Sequence, residues 1–169
     1  MGIFSKIKNY ITGGAAEVSI VFENNTTDGK SVMRLFVLAK ALDNCSIKKV
    51  YLDIRGQETY KKQETRTTTD SNGNVQTTTH HVTAHDNHYR YQLILANDVT
   101  MQAGEEQRWL GEFELPEDAY PTYHGKDCFM KWQVFAGLDM PGNDPDSGWV
   151  EFFVNKQLNY TINQANGTF

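Results

Sequence analysis

From about residue 15 onward, apolar and polar side chains alternate with a period of two, and the rhythm persists almost to the last residue. Successive side chains of a β-strand point to opposite faces, so this alternation marks strands with one buried and one wet face. In "IKKVYLDIRGQETY", Val50, Leu52 and Ile54 point one way, while Lys49, Tyr51, Asp53 and Arg55 point the other. Val18, Ile20 and Phe22 alternate with Ser19 and Val21, and "SVMRLFVLAKAL" follows across the turn residues Asn24, Asn25, Asp28 and Gly29. Further strands are expected in "YRYQLILA", "QRWLGEFEL", "CFMKWQVFAGL" and "GWVEFFVN", with "LNYTIN" the weakest. That makes about eight or nine strands separated by turn residues, with no helical pattern between them. A parallel α/β sheet needs helical crossovers and is excluded; the expectation is an all-β, immunoglobulin-like antiparallel sandwich, with a closed barrel as the alternative that periodicity does not separate.

Two segments stand apart from that texture. "RTTTDSNGNVQTTT" is nearly all threonine on either side of an Asn-Gly pair, the pattern of a β-hairpin whose arms bury little and project from the body. At the other extreme, "MGIFSKIKNYITGG" places Ile3, Phe4, Ile7, Tyr10 and Ile11 at helical spacing before Gly13-Gly14. This spacing predicts a short amphipathic helix over residues 1–14, preceding one sandwich domain over 15–169. Docking on the body is its ordinary use, and peripheral membrane contact the other. Gly2 does not signal myristoylation, because Lys6 occupies the place where Ser or Thr is required.

A chain of 169 residues can bury a substantial core without metal or disulfide support. A net charge of -5 and the lack of a dense basic run set nucleic acid aside as a partner. No apolar run is long enough to span a bilayer and no secretory signal opens the chain, so it reads as a cytoplasmic protein. The two cysteines, Cys45 and Cys128, are expected as reduced thiols, a single bridge between them being the alternative.

The proline-rich stretch "ELPEDAYPTYHG" poses the sharpest functional question, because His124, Asp127 and Cys128 follow one another closely. Proline fits poorly inside a central strand but well where the chain crosses between sheets, so the stretch reads as a sandwich corner. Tyr123 then ties the corner by its hydroxyl, His124 is exposed, and Cys128 shares the inward parity of Met130, Trp132, Val134 and Ala136. A nucleophilic thiol needs a reachable site with a base beside it, and a core-facing cysteine lacks that. The second candidate is "HHVTAHDNH", four of the five histidines in nine residues. On a strand, positions 81 and 85 lie about 13 Å apart, too far for one metal, and His80 and His81 face opposite ways. A metal- or ligand-binding sandwich using His80, His81, His85 and His88 needs convergence with neighbouring strands, Asp98 and Glu105 being further oxygen donors in sequence, or a turn near Asp86-Asn87. No phosphate loop, paired carboxylates or serine triad is present in a recognisable frame, and no cofactor is expected.

"IKKVYLDIRGQETY", "AGEEQRWLGEFELP", "YPTYHG" and "WQVFAGLDMP" occur in an order and spacing that resembles the amino-terminal domain of arrestin-fold proteins. The matching positions are Gly56, Gly104, Phe113, Leu115, Pro116, Pro121, Tyr123, Gly125, Val134, Ala136, Leu138, Asp139 and Pro141. The opening "FSKIKNYITGGAAEVSIVFE" is similar to the start of the bacterial sporulation-control proteins, a branch with the same fold. Such proteins carry a second sandwich, whereas this chain ends fifteen residues after the "GWVEFFV" strand, so functions that need two sandwiches are not carried over; the Pro-Pro-x-Tyr tails of eukaryotic adaptors are absent too. The resemblance implies a non-enzymatic interaction module that binds a protein partner through a sheet edge or exposed face. The residues expected to carry it are Tyr51, Asp53 and Arg55 on the wet face and Thr67, Thr69, Thr77 and Thr79 on the hairpin, which also offers an edge for homo-oligomerisation.

Overall fold

A computed structural model describes residues 14–142 and 144–156. The described chain is built from β1 (Ala16–Phe22), β2 (Thr26–Thr27), β3 (Met33–Ala41), β4 (Cys45–Thr69), β5 (Val75–Met101), β6 (Glu106–Phe113), β7 (Tyr123–His124), β8 (Cys128–Asp139) and β9 (Asp146–Val154). The predicted amphipathic helix and the "LNYTIN" strand lie outside the described residues. Two sheets form, one ordered β1-β3-β6 and the other β2-β9-β8-β4-β5, with β7 added along β8. Every ladder is antiparallel except the two-residue pairing of β2 with β9. Among the described residues both sheets end in edge strands, so the architecture is a sandwich and not the closed barrel.

The alternation read from sequence is the alternation seen in burial. Val50, Leu52 and Ile54 of β4, Met130, Trp132, Val134, Ala136 and Leu138 of β8, and Leu35, Val37 and Ala39 of β3 all turn into one shared core. Each such aliphatic side chain removed from water contributes about 1.5–3 kcal/mol, which makes this face-to-face burial the main force holding the sheets together. Phe22 of β1 and Phe113 of β6 meet Phe152 of β9 at ring-centroid distances of 6.0 and 5.8 Å, joining the two layers through aromatic contact.

The proline-rich stretch does what proline geometry requires. It carries the chain from β6 in the small sheet to β7 and β8 in the large one. Leu115 and Ala119 plug into the core, the Ala119 amide donates to the Pro116 carbonyl at 2.9 Å, and the buried Trp132 indole donates to the Tyr120 carbonyl at 2.8 Å. Cys45 lies opposite Met101 near one end of β4, and Cys128 lies opposite Tyr60, fifteen residues farther along the same strand. At the strand rise this separates them by about 50 Å, so no bridge can join them, and both are free thiols.

Candidate functional site

The strands β4 and β5 pair from Cys45 opposite Met101 to Thr69 opposite Val75, with register shifts at Val50/Tyr51 and Gly56/Gln57, but β8 accompanies β4 only as far as Tyr60. The sheet is thick where three strands meet. Past that point, among the described residues, only a two-stranded ribbon remains, and nearly all of its side chains are exposed. Nine residues, 61–69, extend about 30 Å beyond the body at the rise of a strand. Asp70 closes the tip: its carboxylate accepts the amides of Asn72 and Asn74 at 2.9 and 2.8 Å and the Asn74 side-chain amide at 2.9 Å, and Gly73 takes φ +83°. The turn is therefore a longer loop organised by Asp70, and Asn72-Gly73 forms only part of it, with glycine in the left-handed position. Thr67 faces Thr77, with hydroxyls 3.4 Å apart, and Thr65 faces Thr79. Thr67, Thr69, Thr77 and Thr79 thus share one face of the ribbon.

Tyr51, Asp53 and Arg55 lie together on the outer face of the large sheet, and each is already engaged within it. The Arg55 guanidinium stacks 3.7 Å from the Trp149 ring centroid and donates from Nε and an Nη to Gln133 Oε1 at 3.1 and 2.8 Å. Asp53 accepts from Gln92 Nε2 at 2.9 Å. Tyr51 lies over Gly137, where a β-carbon would sit 2.5 Å from its ring, and contacts Phe135, whose ring packs on Trp149 at 5.3 Å. Burial first, then the charges of Asp53, Asp144, Asp146 and Asp139, push the Tyr51 hydroxyl up, so it stays a neutral donor. The seven sequence-chosen residues thus fall in two places, Arg55 and Thr67 being about 40 Å apart along β4.

The histidines do not converge. His81 contacts Gln63 at 3.2 Å, His85 contacts Thr59 at 2.9 Å, and His80, on the opposite face from His81, contacts Thr78 at 3.1 Å. No group of three or more His, Cys, Asp or Glu side chains able to hold a metal occurs among the described residues. His88 behaves differently because a bulge opposite Gly56/Gln57 re-aims it. Its Nε2 lies 2.8 Å from Oε2 of Glu58, while Oε1 of Glu58 accepts from the Tyr123 hydroxyl and, at 3.1 Å, from the Cys128 thiol.

Glu58 is the residue that sequence reasoning missed. The hydrogen bonds of Tyr123, Cys128 and His88 hold its carboxyl down, from the ordinary 4.5 to about 2, while burial first, then the hydrogen bonds with Cys128 and Glu58, push the Tyr123 hydroxyl well up. For Cys128 the Tyr123 hydrogen bond lowers the thiol, but the Glu58 hydrogen bond, burial and the Glu58 charge together push it up. A thiol kept protonated beside a weakly basic carboxylate is a poor nucleophile. The cluster ties β4, β5, β7 and β8 together where the body gives way to the ribbon. The expected corner tyrosine is present, but its hydroxyl reaches a carboxylate on another strand instead of nearby backbone.

The family model for the arrestin (or S-antigen) N-terminal domain matches residues 28–161. The chain belongs to the arrestin N-terminal domain family. No curated protein matches this arrestin-family chain. Among solved structures, the sporulation control protein Spo0M from Bacillus subtilis is similar with a TM-score of 0.58 and 20% identity, over 85% of this chain and 51% of that one. This arrestin-family chain therefore spans about half of Spo0M's length, and the likeness at that identity is one of fold. No helix among the described residues is long and apolar enough to cross a membrane.

Proposed function

We propose that this chain is a non-enzymatic interaction module that binds a protein partner through the projecting β4–β5 ribbon. The observation that carries this reading is the ribbon itself, two strands leaving the body with no third strand beside them among the described residues. Unpaired amides and carbonyls along an extended edge accept a further strand, with backbone hydrogen bonds supplying affinity and alternate side chains supplying selection. The arrestin fold supports the reading, since it is a scaffold for recognition more than for chemistry. The outer face with Tyr51, Asp53 and Arg55 is the lesser candidate, because its polar groups already satisfy one another.

The test is capture from native lysate by the wild-type chain and by a variant in which residues 65–79 are replaced with Asn-Gly, with quantitative mass spectrometry. Glu64 then faces His80 across the new turn, a pairing the ribbon already has. Loss of a specific protein on replacement, recovered with purified components, supports the module. Equal capture by both chains refutes the ribbon as the contact.

A further inference from the structure

We propose that the free edge of β4 pairs with itself in a second copy of this chain, antiparallel and in one register, about a two-fold axis passing through Thr65. The inference rests on the reading of the ribbon as an interaction edge and names the partner for the β4 side of it.

Hydrogen bonds already present fix which residues of β4 look outward. Asp70 donates its amide to Asn74 across the ribbon at 2.9 Å, so even-numbered residues of this stretch bond toward β5. Lys61 donates its amide away from β5, to the Asp127 carbonyl at 2.9 Å, so odd-numbered residues bond toward the β8 side. Both observations give the same parity, and no register shift interrupts the β4–β5 pairing between Gln57 and Thr69. Lys61 also pairs with the Asp127 carboxylate at 2.9 Å, closing the last contact on that side. Beyond it, Gln63, Thr65, Thr67 and Thr69 present amides and carbonyls for which the described residues supply no partner strand.

The stretch from 61 to 69 has Thr65 at its centre. An antiparallel pairing about that residue sets Thr65 opposite Thr65 and Gln63 opposite Thr67, all odd and all bonding outward, and stops short of Lys61, whose amide Asp127 already holds. It also sets Glu64 opposite Arg66 twice, once on each side of the axis. These two fall in the non-hydrogen-bonded positions, where opposed side chains come closest. Neighbouring registers fare worse. Centring on Glu64 opposes Glu64 to itself and Lys62 to Arg66; centring on Arg66 opposes two guanidinium groups; centring on Thr67 opposes Glu64 to Asp70. Centring on Gln63 opposes Lys62 to Glu64, but it sets Lys61 opposite Thr65 and Thr59 opposite Thr67, so every outward bond beyond Gln63 itself falls on a position that Asp127 or β8 already holds. Within one chain Glu64 is held by Lys62 at 2.9 Å on an exposed surface, a contact that leaves its charge free to face a second partner. The edge of β5 over 75–83 has no comparable complementarity, since it carries threonine, glutamine, valine and histidine alone.

A strand pairing of this length is a small interface, so association is expected in the weak class, with Kd in the range of about 10 μM to 1 mM. Sedimentation equilibrium of the full chain up to about 1 mM reads it directly. Wild type is expected to form dimers more readily at low than at high salt. Thr65→Pro removes only an outward amide and leaves the β5 ladder intact, so it is expected to abolish dimers while the circular dichroism stays unchanged. Glu64→Arg and Arg66→Glu are each expected to weaken association tenfold or more, and the double exchange to restore it. A chain that stays monomeric throughout overturns the proposal, as does a dimer indifferent to Thr65→Pro or a double exchange that fails to rescue. A monomer that nonetheless captures another protein in a Thr65-dependent way overturns self-pairing and leaves the module reading standing.

Discussion

Glu58 shows how much one carboxylate can decide. Its parity on β4 continues Val50, Leu52, Ile54 and Gly56, so the sequence places a charge on the core-facing side, where it must find donors or neutralise. That parity was legible in "VYLDIRGQE", but its donors were not. Tyr123 and Cys128 arrive from a separate corner, and His88 is re-aimed by a bulge that alternation does not reveal. Because the folded value lies below the ordinary 4.5, Glu58 stabilises the fold fully above that pH and loses this contribution as the pH falls toward about 2. Thermal melts of wild type and Glu58→Gln are therefore expected to differ most near neutral pH, by about 1–3 kcal/mol, and to converge in acid. Glu58→Gln is also expected to speed alkylation of Cys128 by iodoacetamide at neutral pH, since the charge and hydrogen bond that disfavour the thiolate are gone; an unchanged rate would show that burial alone protects the thiol. Gly137 is a second such position. A β-carbon there meets the Tyr51 ring at 2.5 Å, so Gly137→Val is expected to lift Tyr51 from the sheet and cost about 1–3 kcal/mol in urea unfolding.

At the scale of elements, the alternating runs gave their strands and faces directly, because burial is periodic where one side of a sheet is wet. What alternation could not give is where one strand stops and the next begins. "IKKVYLDIRGQETY" and the threonine arm read as two segments and form a single β4, since nothing in a polar, β-branched run marks the point where β8 leaves it. Residues beyond that point touch little of the core. Replacing residues 65–79 with Asn-Gly is accordingly expected to leave the denaturation midpoint nearly unchanged, within the roughly 0.5 kcal/mol typical of surface changes. A loss of several kcal/mol in chemical denaturation would mean that the ribbon is part of the folded body and not an appendage on it.

For the whole molecule, the family resemblance followed from the order of motifs and the two-layer class from the count of alternating strands, whereas the histidine cluster, which looked like a site, dispersed because each ring met a different partner, three of them on β4 and, for His80, Thr78 on β5 itself. The same two strands belong to two mechanical regimes. Around Leu52 and Ile54, β4 is central, flanked by β5 and β8 and buried at 0% exposure, while past Tyr60 it has β5 alone among the described strands. Amides opened only by disrupting a shared core exchange by global unfolding, and those of a bare two-stranded ribbon exchange by local fraying. Hydrogen exchange is thus expected to protect residues 50–56 and their β8 partners with the full unfolding free energy, while 63–69 and 75–81 exchange orders of magnitude faster. The core itself can be probed through Trp132, which packs against Phe152 and Tyr89 and anchors the corner through Tyr120. Trp132→Ala is expected to cost about 3–5 kcal/mol and to raise exchange at 50–56 by the corresponding factor. The ribbon's exchange is expected to stay as it was, because its opening never passed through the core. If ribbon and core amides accelerated together in that variant, the two would be one cooperative unit and the ribbon could not serve as an independent edge.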